Sequence, residues 1–432
     1  MGTITLIILF MVEAFFLIWS IISKSNHSKE KSIVRIGELL LLTVLLLTGV
    51  FEWGFRYYMI LTVLFIQSII GLIVLLKNEE KPYKLGKSIA AFIRCGILIT
   101  FALFLAILCP QYVQPQMSGS NEVATAKYTW TDESRIEKFT DTGDNRSLTV
   151  EFWFPADMQG TYPLVVFSHG AFGFSGGNMS TFKELASNGY VVASIGHTYH
   201  AFYTADTNGK FTLVDQNFLN RAVEITNMNE AENEQEIYDT TQEWMALRTA
   251  DENFVIDTII SNVYSGTADE VFSHINADKI GLFGHSMGGA SSAQLGRTRS
   301  DIDAVIVLDG TMLGEDIGFE DGMPVVNNTP YPIPLLNIYA EDHYTNAMAH
   351  DGDRYQNFNA TKNAPVAYEV VFKNAGHLNF TDLPLFSPTL AKMLGVGTVD
   401  SRDCIEKTNR IVLEFFNSYL KDGETPRFEE EY

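Results

Sequence analysis

The chain reads as an α/β protein, a mostly parallel sheet with helices on both faces, preceded by four transmembrane helices. Three observations predict this. Long apolar stretches fill residues 1–109, and short apolar runs alternate with helical patterns after residue 128. One of those runs, Ile280-Gly281-Leu282-Phe283, passes through Gly284-His285-Ser286-Met287-Gly288 into the small residues Gly289-Ala290-Ser291-Ser292-Ala293. That order reads as a buried strand, a sharp turn and a helix.

The apolar stretches are roughly Ile4–Ile22, Leu39–Phe55, Tyr57–Leu76 and Ser88–Cys109, each about long enough to cross a bilayer as a helix. Met1 to Thr5 lack Lys and Arg, and three more stretches follow, so the first reads as a span rather than a cleaved leader. Lys24, Lys29, Lys31 and Arg35 lie between spans one and two, and Lys77, Lys81, Lys84 and Lys87 between three and four. Basic loops stay in the cytoplasm, which predicts a multi-pass protein of the cell membrane with the rest of the chain outside. Trp53, Tyr57 and Tyr58 fit an aromatic belt at the outer surface. Glu13, inside the first span, is a functional candidate or a hydrogen-bonded group facing the other helices. Arg94 has the position of a snorkelling side chain.

Residues 1–109 carry 10 Lys+Arg and 6 Asp+Glu, so the formal charge of −22 leaves −26 on residues 110–432. So acidic a region excludes nucleic acid as a partner and disfavours a grip on anionic lipid heads. Cys95 and Cys109 lie in apolar sequence and Cys404 stands alone, so there is no disulfide framework and no cysteine zinc site.

Residues 110–128, with Pro115, Gly119 and several Ser and Gln, read as a linker, and 129–432 as one domain. Leu148–Phe154 alternates as a half-buried strand. Pro163–Phe167, Tyr190–Ile195, Ile280–Phe283, Ala304–Leu308, Pro334–Tyr339 and Ala367–Phe372 are short apolar runs of the kind buried on both faces. Met179–Ser187, Trp244–Ser261, the stretch after Ser286 and Cys404–Leu420 have helical patterns. Residues 203–243 break this rhythm. With Asn220 to Glu243 rich in Asn, Glu and Thr, they read equally as a helical cap over the site or as a solvated surface excursion.

In sheets of this kind the site lies at the carboxyl ends of the strands. The Gly-His-Ser-Met-Gly turn has the sequence of a nucleophile elbow, in which strained backbone lifts the serine hydroxyl above the sheet edge. A serine alcohol needs a base, and the base an orienting acid, here in the chain order Ser, acid, His. Ser286 is the candidate nucleophile. His377, in the loop after the strand ending at Phe372, is the candidate base. His343 and His350 rival it but lie where this fold commonly holds an acid. Two strand ends offer the acid: Asp309 after Ala304–Leu308, and Glu341-Asp342 after the next strand. The oxyanion needs two backbone N–H donors. Met287, after the nucleophile, supplies one. Ala171, in the loop after Val165-Val166-Phe167-Ser168-His169-Gly170, is the first choice for the other and Phe172 the second. His169 reads as a supporting group rather than a base. His197-Thr198-Tyr199-His200 has metal-like spacing but no acidic or cysteine partner, so neither metal nor cofactor is expected. Phe172, Phe174, Tyr199, Phe202 and Tyr203 suit the wall of an acyl pocket or ordinary core packing.

Several segments reach further than the fold. Pro163-Leu164-Val165-Val166-Phe167-Ser168-His169-Gly170, Leu185-Ala186-Ser187-Asn188-Gly189-Tyr190-Val191-Val192-Ala193, Gly284-His285-Ser286-Met287-Gly288-Gly289, Leu308-Asp309 and Gly376-His377-Leu378-Asn379-Phe380-Thr381-Asp382 resemble the platelet-activating-factor acetylhydrolase family, of the lipoprotein-associated phospholipase A2 type. The resemblance covers about residues 145–420. It implies an α/β-hydrolase fold, calcium-independent hydrolysis of esters with short or oxidised phospholipid acyl chains among the substrates, and Asp309 as triad acid. The spans are not part of the animal enzymes, and residues 197–250 match poorly. The expectation is a membrane-anchored serine hydrolase of small-molecule or lipid esters. An acyltransferase with the same triad and a non-catalytic ligand-binding domain are the alternatives. Oligomeric state is not legible.

Overall fold

The computed structural model describes residues 1–78, 82–228, 230–266 and 269–432. Lys81 and Asn229, weighed above in the basic loop and in the insertion, lie outside the described residues. The chain divides into two compact units, Met1–Val113 with Leu385–Lys392, and Gln114–Pro384 with Met393–Tyr432.

The first unit holds helices α1 (Gly2–Ser23), α2 (Ser28–Leu47), α3 (Phe55–Lys77) and α4 (Leu85–Leu108). Leu9, Leu42, Leu46, Tyr57, Ile60 and Leu103 form its interior, while Phe15, Ile22, Leu76 and Phe101 are exposed. Among the described residues three helices, α1, α3 and α4, are long and apolar enough to cross a membrane. The expected second span is corrected here. The apolar run Leu39–Phe55 is not one helix, because α2 stops at Leu47 and the chain turns through Gly49, whose φ of 74° suits a helix end. Helix α2 begins instead at Ser28, so Lys29, Glu30, Lys31, Arg35 and Glu38 load its first half with charge. Glu13 of α1 is not alone, since Arg35 of α2 donates to its carboxylate at 3.0 Å. A charge among apolar helices is tolerated when paired in this way. Within this unit Phe386 lies against Phe55, ring centroids 6.2 Å apart, and Ser387 Oγ donates to the Leu108 carbonyl at 2.6 Å.

The strands of the second unit are β1 (Val123–Ile136), β2 (Asn145–Pro155), β3 (Tyr162–Ser168), β4 (Val191–Gly196), β5 (Tyr203–Ala205), β6 (Phe211–Leu213), β7 (Ile275–His285), β8 (Ala304–Leu308), β9 (Asp316–Glu320), β10 (Met323–Val326), β11 (Leu335–Ala340) and β12 (Ala367–Phe372). Eight of them form one sheet in the order β1-β2-β4-β3-β7-β8-β11-β12. Strands β1 and β2 pair antiparallel and β2 runs antiparallel to β4, while every neighbouring pair from β4 to β12 is parallel. The helices are α5 (Met179–Ser187), α6 (Gln216–Asn227), α7 (Glu230–Ser265), α8 (Glu270–Ser273), α9 (Met287–Thr298), α10 (Glu341–His350), α11 (Gln356–Asn363) and, near the end, the helix Ser401–Leu420.

The unbroken apolar runs are explained by burial on both faces. Leu164, Val166, Ile280 and Leu282 point to a core closed by Val255, Ile256 and Ile259 of α7. Val165, Phe167, Phe283 and Ile306 point to the opposite core, with Phe182 of α5 and Val412, Phe415 and Phe416 of the helix Ser401–Leu420. Strand β1 corrects the expected linker, since its first residues lie inside 110–128. It is an edge strand, largely half-exposed, whose Thr, Lys and Asp leave no apolar run to read. The insertion 203–243 holds the β5–β6 hairpin, α6 and the start of α7.

Candidate active site

Backbone strain marks one edge of the sheet. Phe172, Tyr199, Ser286, Asp309 and Asn374 all have positive φ, between 48° and 67°. Each lies just past the carboxyl end of a parallel strand, namely β3, β4, β7, β8 and β12. Such conformations cost of order 1–3 kcal/mol each outside glycine and collect at functional sites.

Ser286 stands at φ 55°, ψ −127°, between β7 and α9. The turn closes because its flanks lack side chains. A Cβ on Gly284 would lie 2.2 Å from the Gly288 carbonyl carbon, and one on Gly288 would lie 2.0 Å from the Ser168 oxygen. The Ser286 amide donates to the Leu308 carbonyl at 2.9 Å, which ties the elbow to the end of β8, where Asp309 follows. Ser286 remains partly exposed.

Asp309 is buried and His377 reaches it. The His377 Nδ1 to Asp309 Oδ2 distance is 2.6 Å, and the imidazole is 44% exposed on its other side. The second oxygen, Oδ1, accepts from the Ala340 amide at 2.7 Å and lies 2.9 Å from His343 Nδ1. Burial works against ionisation of Asp309, but the hydrogen bonds and positive potential of His343 and His377 outweigh it and hold the carboxyl well below its usual range. His285 of the elbow links serine and histidine, its Nε2 lying 2.9 Å from the His377 carbonyl and the two rings 4.5 Å apart. Burial pushes the His285 imidazole down to about 3, and His377 beside it adds to that, so it stays neutral. No hydrogen bond joins Ser286 Oγ to His377 among the described residues. Such bonds are often long before substrate enters.

The rivals fall elsewhere. Asp342 is exposed on the first turn of α10, where its carboxylate accepts the amide of His343. His350 is exposed, with Nδ1 on the Asn346 carbonyl at 3.0 Å. The Phe172 amide is engaged, donating to the His200 carbonyl at 3.2 Å. Among the described residues the amides of Ala171 and Met287 have no acceptor. Gly170 brings their loop against the nucleophile, since a Cβ there would lie 3.1 Å from that of Ser286. Phe172 packs on Phe218 of α6, centroids 5.2 Å apart, Tyr199 on Phe139 at 5.1 Å and Phe174 on Tyr203 at 5.6 Å, while Phe202 is exposed.

Behind the elbow lies a buried charged network. His169 is sealed in, its carbonyl accepting from Arg248 of α7. Ser168 Oγ meets His197 Nε2 at 2.9 Å, and His197 Nδ1 meets Asp251 Oδ2 at 3.0 Å. Asp251 also takes Arg146 at 2.6 Å and Arg135 at 2.8 Å. Glu252 accepts from Ser291 and Ser292 of α9 at 2.9 and 2.7 Å, and burial pushes its carboxyl up to about 7. The sequence carries a faint signal of this cluster, because Arg248, Asp251 and Glu252 recur at three- and four-residue spacing on one face of a helix whose neighbouring residues are core.

Comparison with known proteins agrees with this architecture. Residues 144–427 match the family described as platelet-activating factor acetylhydrolase, isoform II. The chain is similar to the platelet-activating factor acetylhydrolase of Bos taurus, 23% identical over 276 residues covering 60% of this chain and 57% of that one. It is 24% identical over 283 residues to that of Cavia porcellus, covering 60% and 58%. The chain thus spans well under two thirds of the length of these relatives. Among solved structures, a ferulic acid esterase from Streptomyces cinnamoneus shares the fold, with a TM-score of 0.54 and 21% identity over 72% of this chain and 94% of that one.

Proposed function

The chain belongs to the platelet-activating factor acetylhydrolase, isoform II family, and on that premise we propose that it is a membrane-anchored serine hydrolase of carboxylic esters. The observation that carries the reading is the meeting of three loops from β7, β8 and β12, which bring a strained serine, a buried carboxylate and a half-exposed imidazole to one edge.

In this mechanism His377, held by Asp309, takes the Ser286 proton as Oγ attacks the ester carbonyl. The amides of Ala171 and Met287 receive the oxyanion. Collapse breaks the bond to the alcohol, which leaves with the proton from His377, and the acyl group stays on Ser286. Water, deprotonated by His377, then attacks the acyl-enzyme, and collapse releases the acid as His377 returns the proton to Ser286 Oγ. Asp309 keeps its charge throughout and stabilises the transient imidazolium.

The relatives are named for acetyl hydrolysis and the fold neighbour for ferulic acid esters. Short acyl groups, including those on phospholipids, are therefore the first substrates to offer. Helices α1, α3 and α4 would serve as the anchor. The basic residues Lys77 at the end of α3, Lys84 just before α4 and Lys87 in its first turn favour a cytoplasmic start for α4, and so an outer face for the acidic unit.

Ser286→Ala in the full chain, purified in detergent, is expected to lower hydrolysis of p-nitrophenyl acetate by at least about a thousandfold. It is also expected to lose labelling by a fluorophosphonate. Turnover at the wild-type rate would remove the proposal.

A further inference from the structure

We infer that His343 is a positioning residue for this reaction: its imidazole, with the Ala340 amide, occupies one oxygen of Asp309 and leaves only the other to His377. The inference rests on the proposed roles of Asp309 and His377.

The geometry is specific. Oδ1 takes His343 Nδ1 at 2.9 Å and the Ala340 amide at 2.7 Å, which uses both of its lone pairs, while Oδ2 faces His377 at 2.6 Å. The ring of His343 is itself held, since its Nε2 lies 2.8 Å from the Tyr355 hydroxyl, which is 3.2 Å from Thr311 Oγ1. Donation to Asp309 requires the proton on Nδ1, so in the neutral ring Nε2 accepts from Tyr355. In the charged ring both nitrogens donate and the Tyr355 oxygen accepts. The network therefore fits either state of His343, and the two differ by a full positive charge beside Asp309.

The groups facing His343 are Asp309 after β8, Asp342 beside it on α10, Tyr355 after that helix and Tyr339 at the end of β11, with His377 across the carboxylate. Burial works against protonation of His343, but the hydrogen bond and charge of Asp309, with Asp342, outweigh it and raise its affinity for a proton. As pH falls through this raised value, His343 becomes a second cation on the anion that must stabilise the reacting imidazolium. The wild-type acid limb therefore lies lower than it would if His343 were neutral.

Two variants of the full chain test this with p-nitrophenyl acetate across pH. His343→Leu removes the donor, and kcat is expected to fall by about 10- to 100-fold with little change in KM, because the carboxylate is free to turn. His343→Asn restores an N–H toward Oδ1 without a charge. It is expected to recover most of that rate and to move the acid limb up by about half a pH unit. A scaffold role alone would lower the yield of folded enzyme and leave the limb where it is. A Leu variant with wild-type kcat, or an Asn variant whose limb does not move, overturns the inference. Ser286→Ala and Asp309→Asn, run alongside, separate the two levels. If both remain active, the hydrolase reading itself falls. If both are inactive while the His343 variants match wild type, only the role of His343 falls.

Discussion

Two sets of Ser, His and Asp lie at neighbouring ends of the central sheet, and they make an instructive contrast. Ser168, His197 and Asp251 are joined in order by hydrogen bonds of 2.9 and 3.0 Å. Ser286, His377 and Asp309 show only the 2.6 Å bond from histidine to aspartate. Judged by hydrogen bonds alone, the first set is the more complete. Yet its three members are fully buried, and its serine lies within strand β3. Burial, with Arg248 close by, pushes the His197 imidazole down to about 3, so it takes no proton at neutral pH. Asp251 is already shared with two guanidinium groups. The second set has a serine on strained backbone, an imidazole open to solvent and two unengaged amides beside it. Access, strain and unengaged amides separate the second set from the first, and these carry its proposed reactivity.

Substitutions can break that contrast. The largest effect is expected from Asp309→Asn, which keeps the shape but reverses the hydrogen bond to His377. Its kcat should fall by about 10³- to 10⁴-fold, read as ester turnover, with the melting temperature little changed. Asp251→Asn should do the reverse. It leaves the buried Arg146 guanidinium underpaired, which costs about 3–5 kcal/mol, seen as a lower denaturation midpoint, while turnover per folded molecule holds within about threefold.

Glu252 sharpens the picture through pH. Its folded value, pushed up to about 7, exceeds the unfolded value of about 4.3. The native state therefore binds the extra proton between these limits, and stability falls as pH rises through that window, by about 4 kcal/mol in all. Glu252→Gln should flatten the fall in melting temperature between pH 5 and 7; an unchanged slope would show that this carboxyl is not its source. The smallest effect belongs to Asp342→Asn. The exposed rival acid should be replaceable with less than a twofold change in turnover, and a loss as deep as that of Asp309→Asn would reassign the triad.

What the sequence disclosed follows the same division. Strands buried on both faces were legible because they are unbroken apolar runs, as at Val165–Phe167 and Ile280–Phe283. The elbow was legible because its glycines and small residues are adjacent in the chain. Strand β1 was not, since an edge strand with polar outer positions has no apolar signature. Helix α2 was misplaced because its apolar half continues in sequence past the turn at Gly49. The pairing of Asp309 with His377 was expected from the resemblance, but the contact of Asp309 with His343 was beyond reach, because it joins loops 34 residues apart. His343 could be weighed from sequence only as a competing base. The network behind the elbow hid in a helix recognised for its apolar period alone.

Residues Leu385–Lys392 are cored into the unit formed by the first 113 residues, with Phe386 against Phe55. Trimming the leading helices to obtain a secretable fragment would strip that segment of its packing and leave an aromatic side chain in water. A polar replacement of Phe386, introduced with the truncation, is the remedy this packing dictates against clumping.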